Sequence, residues 1–168
     1  MRKLFALAIS ALFILGACTK DGGNLDGRWI GLRAEDTPDD IAFTLDFSGN
    51  KLDLYVIAWG ERYSGTYNLS DGVVDFNISK VYKAYADVTF DEKGVAISYS
   101  WNIADEEGKK NFDGRTLKLA PGFEWYEMNG GDWDRTDKEM FSTFEFKVNG
   151  NKAKSNLPPF NPTFTKIK

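Results

Sequence analysis

The plausible acid–base groups of this chain are its carboxylates. Its 168 residues include no histidine and one cysteine, Cys18. That excludes Ser-His-Asp and Cys-His catalysis, His-ligated zinc and histidine general bases. It also excludes an intrachain disulfide and a cysteine metal cage. The carboxylates gather in three places: Asp36, Asp39 and Asp40; Asp105, Glu106 and Glu107; and Asp132, Asp134 and Asp137 with Glu139. A carboxylate-dependent glycosidase needs two of them facing each other at about 5–9.5 Å, and nothing in the spacing pairs any two. Solvated loops that keep an acidic protein soluble account for all three clusters. Asp132, Asp134 and Asp137 make an irregular metal candidate only. An EF-hand loop asks for Asp or Asn at 136 and glycine at 137, where this chain has Thr136 and Asp137. Gly130-Gly131 lacks the lysine that a phosphate loop requires.

The aromatic residues carry more information. Phe123, Trp125, Tyr126 and Trp133 fall within residues 120–140, a stretch longer than ordinary connections. Exposed, these rings would stack on sugars or line an apolar mouth. Tucked in, they would cap the end of a barrel. Tyr82 and Tyr85 lie in residues 79–86, which read as a short helix, and share the ambiguity. These six are the candidate ligand-binding residues.

The elements that would position them begin with a leader. Arg2 and Lys3 precede an apolar run, Leu4 to Leu15, of twelve residues. That is too short for the roughly 20 residues of a bilayer-spanning helix but suits a signal-peptide core. It ends in Leu15-Gly16-Ala17-Cys18. This tetrad resembles the lipobox of bacterial lipoproteins, in which the cysteine thiol is acylated and becomes the mature N-terminus. The resemblance implies a signal peptide over 1–17 and lipidation at Cys18, with 18–24 as an acylated cysteine and flexible tether. Losing residues 1–17 removes two basic residues and no acidic one, taking the formal charge from −4 to −6. Thr19 is not the aspartate associated with inner-membrane retention, so the implied location is the outer membrane of a Gram-negative bacterium, facing the periplasm or the cell surface.

From Leu25 onward the dominant period is two, the mark of half-buried strands. Ile41, Phe43, Leu45 and Phe47 alternate with smaller or polar residues, and Ser48-Gly49-Asn50 reads as a hairpin turn. Leu52, Leu54 and Val56 alternate with Asp53, Tyr55 and Ile57, so this strand reads as buried on both faces. Further alternation runs through 62–69, 73–78, 95–101 and 144–148, with Thr163 to Ile167 as a final edge. Nine or ten short strands without long helical patterns predict an all-β domain over 25–168. An antiparallel up-and-down β-barrel is the expected architecture, with a β-sandwich as the alternative.

Gly27-Arg28-Trp29 opens the first strand. It resembles the Gly-x-Trp signature of lipocalins and the wider calycin group. The resemblance implies a lipocalin-like barrel with Gly27 and Trp29 forming a plug at its closed end. In that family a late arginine covers the tryptophan; Arg115 and Lys147 are poor stand-ins here.

These features lead to a non-catalytic, lipid-anchored β-barrel binding module of the cell envelope, taking a small apolar ligand, a glycan or a protein partner at the barrel mouth. Residues 121–139 and 79–86 would frame that mouth. No cofactor is implied, and the acidic balance argues against nucleic acid. The alternative is a barrel filled by its own side chains, serving as a structural, interaction or inhibitor protein of the envelope. A carboxylate-dependent hydrolase is the third reading and requires two converging acidic groups.

Overall fold

Alternating sequence and tight turns build a long antiparallel meander. The structure, a computed structural model, describes residues 25–33, 40–93, 96–100, 111–128 and 135–167. Its elements are β1 (Gly27–Leu32), β2 (Ile41–Ser48), β3 (Lys51–Val56), a 3-10 turn (Ile57–Trp59), β4 (Glu61–Ser70), β5 (Val73–Phe90), β6 (Ala96–Ser100), β7 (Phe112–Asp113), β8 (Lys118–Leu119), β9 (Phe123–Glu127), α1 (Arg135–Phe141), β10 (Thr143–Asn149), β11 (Lys152–Ser155) and β12 (Thr163–Lys166). The protein is all-β, with a ring of eight strands. Around the ring, β1 to β5 follow one another, then β10, β11 and β12, and β12 pairs with β1. Every pairing is antiparallel, so the ring is an up-and-down barrel.

Two expectations change. Residues 79–86 are not a helix but part of β5, because they pair with β4 on one edge and β9 on the other. Thr163 to Lys166 form no edge. They lie between β11 and β1, where closure removes the free edge.

β5 has eighteen residues and outruns the ring. Its first part pairs with β4 and β10; farther along, Tyr82 to Ala86 pair with β9, and Ala86 to Phe90 pair with β6. The result is a ribbon extending beyond the ring. A bulge marks the change of role: Ser64 pairs with Lys80 and Gly65 with Ile78, leaving Ser79 as the extra residue. Gly65 is obligatory there, since a Cβ would sit 2.0 Å from the Asn77 carbonyl oxygen.

The ring is filled with rings. Trp29, Phe43, Phe47, Tyr63, Phe141, Phe144, Phe146 and Phe164 are all at most 2 % exposed. Phe146 is their hub, with centroids 5.3 Å from Trp29, 5.6 Å from Phe47 and 5.3 Å from Phe164. A second cluster lies outside the ring, where Tyr55, Ile57 and Phe112 are buried beneath the β7–β8 hairpin. The Thr44 hydroxyl donates to the Gly114 carbonyl at 2.7 Å and fastens that hairpin to β2. This is why β3 carries apolar residues on both faces.

Truncating the hub should show how much the fold depends on it. Phe146→Ala is expected to cost about 3–5 kcal/mol in urea denaturation. Phe90→Ala, at a side chain 50 % exposed on the ribbon, is expected to stay within about 0.5 kcal/mol of the parent.

Candidate functional site

The ring has two unlike ends. At the first, β1 begins and the hairpins 48–51, 70–73 and 149–152 turn. Trp29 closes it from within: its indole N–H donates to the Leu25 carbonyl at 2.9 Å, and Lys166 places its ammonium 5.4 Å from the ring centroid. The basic residue over the tryptophan is therefore Lys166. Arg115 lies elsewhere, its carbonyl accepting from Arg28, and Lys147 pairs with Glu145. Lys166 reaches Trp29 because β12 lies beside β1 in the register Trp29↔Lys166.

The second end is where β5 leaves the ring. Phe141, at the close of α1, inserts there against Tyr63 (5.0 Å), Trp59 (6.0 Å) and Phe43 (6.3 Å). Phe160 lies 6.2 Å from Phe43, with the Arg33 guanidinium 4.9 Å from its ring. Just inside this end sits a polar group that sequence reasoning missed. Glu61, 8 % exposed, accepts from the Tyr63 hydroxyl at 2.7 Å and binds the Lys83 ammonium at 2.7 Å. The bulge at Ser79 turns Lys83 inward: Val81 opposes Tyr63, and Lys83 opposes Glu61. The one available signal was Glu61 sharing Tyr63's period-two parity. Both Glu61 oxygens are thus engaged, which suits a structural tie rather than a free acid.

The predicted ligand-binding residues do not form one patch. Successive residues of β9 point to opposite faces, so Trp125 and Tyr126 part. Trp125 turns to the outer cluster, 5.8 Å from Tyr55 and 5.4 Å from Phe112. There the Arg62 guanidinium lies 3.9 Å from the Tyr82 ring and 5.5 Å from Trp125. Burial raises the Tyr55 hydroxyl pKa, Asp53 adds to the rise, and Arg62 opposes it. On the other face of the ribbon, Tyr126 lies 6.0 Å from Tyr85 and 6.0 Å from Phe90. Phe123 is half-buried and pairs with Ala86. Hence Trp125 packs half-buried on the outer cluster with Tyr82 half-buried beside Arg62, while Tyr85, Phe90 and Tyr126 form a partly open aromatic strip on the other face. Trp133, Cys18, Asp132 and Asp134 lie outside the described residues, as do residues 1–24 and the Asp137 side chain. Among the described residues no group of three or more acidic or thiol side chains could hold a metal ion. Comparisons of the chain with protein-family models, with curated proteins and with solved structures find no match.

Asp113 organises the hairpin that covers the outer cluster. Its carboxylate accepts from the Thr116 hydroxyl and from the Arg115 amide. The Thr116 bond is the largest reason its pKa lies below the ordinary carboxylate range.

Two outcomes follow from this geometry. Glu61→Leu removes the 2.7 Å partner of Lys83 and is expected to cost about 3–5 kcal/mol, whereas Glu61→Leu/Lys83→Met should regain most of that in urea denaturation. For Asp113, a depressed folded pKa means a contribution complete above the unfolded value, near pH 4. That contribution fades as pH falls through the folded value. Amide exchange over 112–119, corrected for intrinsic rates, should therefore accelerate on acidification in the parent. In Asp113→Ala it should already be fast at neutral pH and should not respond to acid.

Proposed function

We propose that the protein is a lipid-anchored, non-catalytic interaction module of the cell envelope, held to an outer membrane through Cys18. In this reading the lipocalin-like barrel is filled by its own side chains, and the working surface is outside it. The observation that carries this is the aromatic interior. From Trp29 at one end to Phe141 at the other, the space a small apolar ligand would take is occupied by side chains at most 2 % exposed. Such a ligand would have to displace Phe141 from Tyr63, Trp59 and Phe43 together. The lipocalin resemblance is supported by the buried Trp29 and the neighbour-to-neighbour ring, and the anchor by the Leu15-Gly16-Ala17-Cys18 tetrad. The strip of Tyr85, Phe90 and Tyr126 is the surface on which a glycan or a protein partner would stack, since rings flanked by polar groups suit both.

A native mass spectrum of the protein purified from membranes tests both halves. The expected mass is that of a chain beginning at Cys18 with its acyl groups and no further adduct. A co-purified apolar molecule retained by the folded protein would sink the filled-barrel reading. An unmodified Cys18 would sink the anchor.

A further inference from the structure

Charge is unevenly spread along the chain. Residues 146–168 hold five lysines and no acidic residue, which leaves the other 145 residues at a formal −9. Four of these lysines lie on adjacent strands. β10, β11 and β12 are consecutive in the ring, so Lys147, Lys152 and Lys154 lie on the outer face of one sector of it, while Lys166, opposite Trp29, turns to the inner face at its rim. Lys147 and Lys154 are directly opposite each other across β10 and β11. Like charges placed so are destabilising, and the fold offers little relief. Lys147 has an exposed pair with Glu145, at 63 % and 47 % side-chain exposure. Lys152 and Lys154, both exposed, have no ion-pair partner among the described residues. Ile167, 40 % exposed, follows β12 on the same outer face, and Val148, also 40 % exposed, stands at the rim on the inner face opposite Ala153.

The position of this sector in the fold says what would cover it. The β10–β11 turn and the end of β12 stand beside the start of β1: Ile167 donates to the Arg28 carbonyl, and Lys166 to that of Asn151. Cys18 precedes Leu25 by seven residues, a contour of at most roughly 25 Å. An acyl group on Cys18 would keep this end, and not the ribbon end, close to the bilayer. We propose that the basic outer face of β10–β12 docks on an anionic lipid headgroup surface, with Ile167 meeting the interface. An apolar side chain beside lysines is what such a surface binds. The inference rests on the anchored reading for its geometry, and the experiment separates the two.

Full-length protein purified from membranes is reconstituted into vesicles of phosphatidylcholine, alone or mixed with phosphatidylglycerol. Its lysines are labelled with an amine-reactive reagent and read by peptide mass spectrometry. Lys152 and Lys154 are expected to be protected about fivefold in the anionic vesicles, the factor corresponding to one lysine near such a surface. High salt should abolish the protection, and Lys93 on the ribbon should label equally throughout. In Lys152→Gln/Lys154→Gln the protection of Lys147 should fall as well. The same digest gives the mass of the Cys18 peptide. Protection with an unmodified Cys18 supports docking and removes only the anchor. Equal labelling of Lys152 and Lys154 in both vesicle types overturns docking, whatever the state of Cys18. Protection by soluble heparin but not by anionic vesicles also overturns it, in favour of a polyanionic partner.

Discussion

The ring is closed by Thr143, Phe144 and Glu145 lying against Asp75, Val74 and Val73. All seven other junctions join strands that follow each other closely in the chain or bring its two ends together. This one joins strands separated by more than fifty residues, so it carries a larger loop-closure cost than any of the hairpins. Two further backbone bonds extend it, from Phe76 to the Ser142 carbonyl and from Phe146 to that of Gly72, both 2.7 Å. It also delivers Phe144 and Phe146 to the interior, where Phe146 meets Trp29, Phe47 and Phe164. Hydrogen bonding and aromatic packing therefore depend on each other here. Without the hub, three ladder pairs would have little to hold them. Without the ladder, β10 and β5 would be left to find other edges.

Closure at this one place lets β5 be long. Once β10 is accommodated near its start, the remainder of the same edge is free to take β9, and the edge vacated by β4 takes β6. The ribbon is thus an outgrowth of the closing strand rather than a separate unit. The bulge at Ser79 lies where one role gives way to the other. By turning Lys83 inward it also requires a carboxylate, which Glu61 supplies on the neighbouring strand. A buried pair of this sort is weak evidence for stability and better evidence for a fixed register. Shifting β4 by one residue against β5 would strand both charges.

What could be read from the sequence was what is local. Ser48-Gly49-Asn50 and Ser70-Asp71-Gly72 turn as expected, with positive φ at Gly49, Asp71 and Gly72, because a two-residue hairpin is decided by its own residues. The alternation of Ile41 to Phe47 and the double-sided burial of Leu52 to Ile57 were equally legible. The misreadings share one cause. Residues 79–86 lose their period-two pattern at the bulge, so an interrupted strand looks helical. Glu61, Lys83 and Lys166 acquire their partners through pairings with distant strands, which no local spacing encodes. The separation of Trp125 from Tyr126 was legible in principle, since neighbours on any strand part. It was missed because residues 120–140 read as a loop rather than containing β9.

The two ends of the ring divide the labour between strands that share a core. At the Trp29 end, short hairpins and paired backbone leave little room for a partner to insert, and Lys147, Lys152 and Lys154 lie on the two strands that turn there. At the Phe141 end, the 3-10 turn, α1 and the ribbon replace hairpins, and the added side chains are aromatic. An acidic protein that places Lys147, Lys152, Lys154 and Lys166 on three adjacent strands with Glu145 as their one acidic residue accepts repulsion between Lys147 and Lys154. Glu145 relieves part of that repulsion through its exposed pair with Lys147, and an anionic surface would relieve more. If the anchor and the docking proposed above hold, charge and chain length would set the orientation: the lysine sector toward the lipid surface, with Tyr85, Phe90 and Tyr126 on the side away from it. In the proposed reading a filled barrel suits that arrangement, because a rigid ring would hold the two surfaces at a fixed separation, which a hollow one with a displaceable Phe141 would do less well.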